Sequence, residues 1–124
     1  MNSGFVLDTN IILYSLAGDR ALTKIFAEEE IFVSAMVRME SMIYHGPEAS
    51  HIANVEEFLE ECKIIEITRP IQDLAIEIRI RYGLKLPDSV IAATASFLDR
   101  PLLTADASFN KAKDMVEVFH YKKA

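Results

Sequence analysis

The chain is sparing with the residues that staple, interrupt or anchor a fold. One cysteine, Cys62, stands in 124 residues, which excludes an internal disulfide framework and fits a reducing cytosol. Gly and Pro number four each, and they fall where elements should break, and no linker, repeat or low-complexity tract is visible. No apolar run approaches the roughly 20 residues of a membrane span. Residues 1–3 lead almost straight into a first strand and leave no room for a signal peptide. A cytoplasmic protein with no membrane contact is the expectation. Basic residues are also short: 13 against 19 acids, a formal charge of -6. That balance disfavours a protein that coats DNA through a basic face. It leaves open an enzyme that concentrates carboxylates where cations bind.

What is present suits one domain over 1–124. Hydrophobic residues make up 51% and charged residues 26%, enough for a packed core and too apolar for disorder. Short apolar runs alternate with helical periods. Strands are expected at 5–7, 31–33, 64–67, 101–104 and 116–119. Helices are expected over 10–17, 20–30, 34–45, 48–62, 70–82, 87–98 and 107–113. Ser34 suits an N-cap, Gly46 and Pro47 a stop, Pro70 and Pro87 a first helical turn, and Gly83 a C-terminal stop. Such alternation predicts an α/β fold: a three-layer α/β/α sandwich around a mostly parallel sheet. Right-handed crossovers then bring like strand ends to one rim.

Four acids are placed to meet at that rim. Asp8 ends the first strand, directly before Thr9, Asn10 and an apolar helix start. Asp106 lies just past the fourth strand. Asp88 sits in the first turn of a helix rich in small residues. Glu40 falls on a helical projection among Met36, Met39 and Ile43, as though facing the interior, where an isolated carboxylate is costly unless paired or metal-bound. Each has an ordinary reading. Asp8 can form a turn, Asp88 can answer a helix dipole, Asp106 can cap the next helix, and Glu40 can reach Arg38 or Lys24. Together they describe converging carboxylates, which repel at neutral pH. Hard oxygen-seeking cations, Mg²⁺ or Mn²⁺, relieve that repulsion. Zinc lacks ligands here, because Cys62, His45, His51 and His120 are scattered. Acids that hold Mg²⁺ suit phosphoryl or phosphodiester chemistry.

The stretches Val6-Leu7-Asp8-Thr9-Asn10, the helical Glu40, Leu86-Pro87-Asp88-Ser89-Val90-Ile91-Ala92-Ala93-Thr94-Ala95 and Leu103-Thr104-Ala105-Asp106-Ala107-Ser108-Phe109 resemble the PIN domain, and more narrowly the VapC-type toxins of toxin–antitoxin modules. The likeness runs in order along essentially the whole chain. It implies a Mg²⁺- or Mn²⁺-dependent ribonuclease, often a homodimer, restrained by a small antitoxin protein. By motif position it implies Asp8, Glu40, Asp88 and Asp106 as the catalytic and metal-binding quartet, with Asn10 and Thr104 as polar supporters. Asp8 would be the central ligand, Glu40 and Asp88 would complete the main site, and Asp106 would serve a second metal or a water. Arg81, Lys85 and Lys111 flank the acidic segments and could meet an RNA backbone, or simply keep the surface solvated. Phe26, Ile52, Val55 and Phe58 could line a dimer or antitoxin surface, or belong to the core.

Three rivals remain. A phosphoacceptor receiver domain wants paired acids after the first strand and an Asp ending the third, and 64–68 has none. A haloacid-dehalogenase-type phosphatase wants a second aspartate where Asn10 stands. A non-catalytic interaction module of the same fold would have little use for four acids.

Overall fold

The computed structural model describes residues 4–44, 46 and 48–123. Residues 1–3 and the expected helix end at His45 and stop at Pro47 lie outside the described residues. Along the chain run β1 (Phe5–Leu7), α1 (Thr9–Leu16), α2 (Arg20–Glu28), β2 (Ile31–Ser34), α3 (Ala35–Ile43), α4 (Ala49–Glu60), β3 (Lys63–Ile65), α5 (Arg69–Tyr82), α6 (Leu86–Leu98), β4 (Leu102–Thr104), a 3-10 helix (Ala107–Ala112) and β5 (Val118–His120). The five strands form one sheet in the order β3-β2-β1-β4-β5, with every pair parallel. The expected α/β class and the helix-covered parallel sheet are therefore found.

β1 is central. Val6 pairs with Phe32 on one side and Leu102 on the other, and Val6, Leu7, Val33 and Leu102 are fully buried. Strands covered on both faces read as continuous apolar runs, as these do. The small side chains of α6 let its backbone lie close to the sheet: Ala92, Ala93 and Ala95 are fully buried, and α6 packs on β1, β2 and α5. Gly4 (φ 116°) shows why glycine opens β1. A Cβ there would collide with the Glu30 carbonyl, whose oxygen accepts from Phe5 N at 3.0 Å. Gly83 stops α5 in the left-handed region at φ 76°, as its position in the sequence predicts. No helix among the described residues is long and apolar enough to cross a membrane.

Some boundaries move for visible reasons. β3 ends at Ile65 instead of Ile67, because its ladder partner β2 ends where Ser34 pairs with Ile65. Ser34 leaves the sheet to cap α3, its hydroxyl accepting from Met36 N at 3.1 Å. β5 starts at Val118 instead of Val116, since Val116 N is committed to Ala112 O at 3.0 Å. The expected helix over 107–113 is a 3-10 helix. The apolar arc assigned to α3 also needs correction. Val37 and Ser41 face the core, whereas Met39 is 46% and Ile43 73% exposed. Glu40 therefore lies on the flank of α3 and is half-buried. Of the residues weighed as an interaction surface, Val55 is core and Phe26 and Phe58 are half-buried, their rings edge to face at 5.5 Å.

Candidate active site

The site grows from the end of β1. Asp8 leaves the strand in an extended conformation and caps α1, its Oδ1 accepting from Thr9 N at 2.8 Å. Its Oδ2 accepts from Thr104 Oγ1 at 2.7 Å and from Asn10 Nδ2 at 3.2 Å. Only 6% of Asp8 is exposed. Because β1 and β4 are parallel neighbours, both strand ends arrive at one rim. Thr104 Oγ1 also accepts from Asp106 N at 3.0 Å, and Asn10 Oδ1 accepts from Ala105 N at 3.2 Å. Asn10 and Thr104 thus clasp the ends of β1 and β4 around one carboxylate. Asp106 caps the 3-10 helix, Oδ1 accepting from Ser108 N at 2.9 Å. Across the rim, Thr9 Oγ1 donates to Glu40 Oε1 at 2.7 Å. Asp88 stands in the first turn of α6.

Asp8, Glu40, Asp88 and Asp106 line a single cavity of about 600 Å³. Leu13 and Tyr14 of α1, Ala17 just after it and Tyr44 just after α3 make its less polar wall. The acids feel one another. Burial pushes the Asp8 carboxyl above its ordinary range, against hydrogen bonds from Thr104 and Thr9, and Asp106 and Glu40 push the same way. Asp88 is raised to about 6, first by burial and then by Asp8, Asp106 and Glu40, with Lys85 opposing. A carboxylate raised by like-charged neighbours is one that a cation would relieve.

The donor set tests what could be held there. It is all oxygen, from four carboxylates, which fits a hard divalent ion and not a thiophilic one. Among the described residues no group of three or more acids, histidines or cysteines is already arranged to hold a metal. The pocket therefore gathers the acids without closing them. Cys62 is elsewhere, its thiol pushed up to about 12 by burial and by Glu61, hence unreactive.

The three cations nominated from sequence do not gather. Lys85 is near enough to act on Asp88. Arg81 is engaged on α5, 3.5 Å from Glu77 and 5.4 Å from the Tyr82 ring. Lys111 lies exposed on the 3-10 helix. Thr9, whose hydroxyl orients Glu40, is a site residue that the sequence does not single out. Its only signal is a hydroxyl residue directly after the strand-ending acid. Tyr14 and Tyr44 also line the cavity, and no local pattern separates them from ordinary helix residues.

The sequence model of the PIN domain matches residues 5–115. No curated protein sequence matches the chain. Among solved structures, a toxin–antitoxin complex from Klebsiella pneumoniae contains a chain 28% identical, with a TM-score of 0.73 over 85% of this chain and 89% of that one. VapBC2 from Rickettsia felis, bound to a DNA fragment from its promoter, is 18% identical with a TM-score of 0.81 over 96% and 99%. DNA-bound VapBC from Salmonella typhimurium is 15% identical with a TM-score of 0.78 over 97% and 98%. At these last two identities the likeness is one of fold.

Proposed function

The chain belongs to the PIN-domain family, and from that premise we propose that it is a Mg²⁺- or Mn²⁺-dependent endoribonuclease, the toxin of a toxin–antitoxin pair. The observation that carries this reading is the single cavity lined by Asp8, Glu40, Asp88 and Asp106, with Asp88 raised to about 6 by burial and the other three. Nothing in the packing of the fold requires four acids to line one cavity. Repulsion of this kind is retained where a cation is to be bound.

In this reading Asp8 is the central ligand, because it is the most buried and most firmly held of the four. Thr104, Asn10 and the Thr9 amide fix its oxygens. Glu40, held by the Thr9 hydroxyl, and Asp88 would complete the main site, and Asp106 would serve a second ion or a water. A bound divalent ion supplies charge neutralisation at phosphate oxygens and acidifies water for in-line attack on phosphorus. The chain's own part is orientation: the clasp across β1 and β4 holds the acids at one place on a rigid rim, where a small misplacement would be expensive.

Partners follow the same premise. The Klebsiella match is a toxin–antitoxin complex, and we extend to this chain a small antitoxin protein and a homodimeric state. Exposed apolar side chains, Met39 and Ile43 on α3 and Ile76 and Ile80 on α5, offer surface that such contacts could cover.

The test is cleavage of single-stranded RNA by purified protein with Mn²⁺. Wild-type protein is expected to cut, and both a chelator and Asp8→Asn are expected to abolish cutting. Equal cleavage by Asp8→Asn would remove Asp8 from the chemistry and overturn the reading.

A further inference from the structure

The residues after β5 turn back across the first helix. Tyr121 N donates to Thr104 O at 2.7 Å, tying this segment to the end of β4. The Tyr121 ring lies 6.5 Å from that of Tyr14, and its hydroxyl donates to Asp19 Oδ2 at 2.6 Å. Lys123 Nζ then stands 4.7 Å from the Tyr14 ring centroid. Tyr14 and Ala17 line the acid cavity. The same two residues line a neighbouring hollow of about 380 Å³, whose further wall includes Asp19, Arg20 and Lys123. The two hollows adjoin along α1, one acidic and the other bordered by two cations.

The local charge balance favours an anion at the second hollow. Asp19 is the one acid among the described residues that line it, and its carboxylate is already committed. It accepts from Ala21 N at 3.0 Å, Leu22 N at 3.2 Å and the Tyr121 hydroxyl. Arg20, Lys122 and Lys123 are exposed. A lysine seated on a ring face keeps its charge in place at little entropic cost to a later contact. There is also a physical need for such a contact. A nucleic-acid strand reaching the acid cavity carries phosphates on either side of the one attacked. In a chain of net charge -6, those phosphates meet repulsion unless a local basic rim receives them.

We propose that residues 121–123 form a backbone-binding strap: Lys123, held on Tyr14 and anchored through Tyr121, takes a phosphate of the RNA next to the one cleaved, with Arg20 on the same rim. Lys123 is a positioning residue in this assignment and touches no reacting atom. The inference rests on the ribonuclease reading above.

The experiment measures kcat and KM for a single-stranded RNA oligonucleotide with Mn²⁺, and the salt dependence of RNA binding in the non-cleaving Asp8→Asn background. Lys123→Ala is expected to raise KM about threefold, the size of one exposed ion pair, with kcat unchanged. It should also lower the slope of log affinity against log salt by about 0.7, the value for one phosphate contact on a single strand. Lys123→Arg should recover both, and Tyr121→Phe should raise KM in the same direction. Lys63→Ala, on edge strand β3 where Lys63 pairs with Glu30, should move neither. Thermal melts of the Lys123 variants should stay close to wild type, since the side chain is exposed and its contacts with the Tyr14 ring and Asp19 are solvent-screened. A wild-type KM and salt slope in Lys123→Ala, with cleavage intact, overturns the strap alone. Wild-type protein that neither binds nor cuts the RNA overturns the ribonuclease reading and the strap with it.

Discussion

Helix α1 has an aspartate at each end. Asp8 caps its start and accepts from Thr9 N. Asp19, just beyond its end, caps α2 and accepts from Ala21 N and Leu22 N. As local chemistry the two are alike, since an Asp before a helix satisfies free N–H groups. Their electrostatics are opposite. Asp8 is buried beside Glu40 and Asp106, and its carboxyl is raised. Asp19 takes a hydrogen bond from the Tyr121 hydroxyl and faces Lys123, and its carboxyl is lowered. The cap is a property of a few consecutive residues. Proton affinity is a property of what the fold brings near, and the same motif yields a cation-seeking carboxylate at one end of α1 and a structural anchor at the other.

The sharpest way to break this contrast is with a divalent cation. In a thermal melt, Mg²⁺ or Mn²⁺ at about 100 times its Kd should stabilise the wild type by roughly 2.7 kcal/mol. That gain should vanish in Asp8→Asn and persist in Asp19→Asn. A melt unmoved by millimolar cation would place the two ends of α1 on the same footing and remove the metal site.

Next in size is the clasp. Thr104→Val keeps the shape but removes the donor to Asp8 Oδ2 and the acceptor for Asp106 N. Leaving buried groups unsatisfied costs about 1–3 kcal/mol, read by chemical denaturation. The variant should also bind cation more weakly, because Asp8 loses the bond that opposes the rise of its carboxyl.

A pH series sharpens the contrast further. Asp88 is raised from 3.8 to about 6 in the folded state. The stability it contributes is fully present below about pH 3.8 and is lost as pH rises through about 6. Without cation, wild type should therefore lose stability relative to Asp88→Asn between those values, by no more than about 1–2 kcal/mol once solvent screening is allowed for. A difference that stays flat across this window would show that the Asp88 carboxyl is not raised by its burial and its acidic neighbours.

The smallest effect belongs to Asp19, with the sign reversed. Its lowered carboxyl contributes stability that is present above the unfolded value and lost as pH falls through the lower folded one. In melts below pH 4, wild type should approach Tyr121→Phe, which lacks the bond that lowers it. A gap that instead widened on acidification would contradict the lowered carboxyl.

Much of this was legible along the chain. The stop of Phe5-Val6-Leu7 at Asp8, the Ser34 cap, the Gly83 stop and the small face of α6 depend on residues within a turn of one another, and the structure holds each. The likeness of the acid motifs to a family was legible too, and the family match agrees. The apolar arc is the wrong reason for placing Glu40 at the site, whereas its place among the family-like motifs does not depend on that arc. Its neighbours Met39 and Ile43 are exposed, and what holds it is Thr9, 31 positions away in the chain. Arg81 looked available until its helix supplied Glu77 one turn back. Nothing local in the sequence signals that Lys123 lies over the Tyr14 ring, 109 positions away in the chain.

By itself, then, the sequence determined where strands stop, where helices are capped, and that acids follow the ends of the first and fourth strands. These are matters of neighbouring residues and backbone chemistry. Only the tertiary structure decided that β4 lies beside β1, so that Thr104 reaches Asp8 across 96 positions. It alone decided that Asp8 and Asp88 are raised while Asp19 is lowered. Desolvation and Coulomb interaction act through space, and distance in space is set by packing.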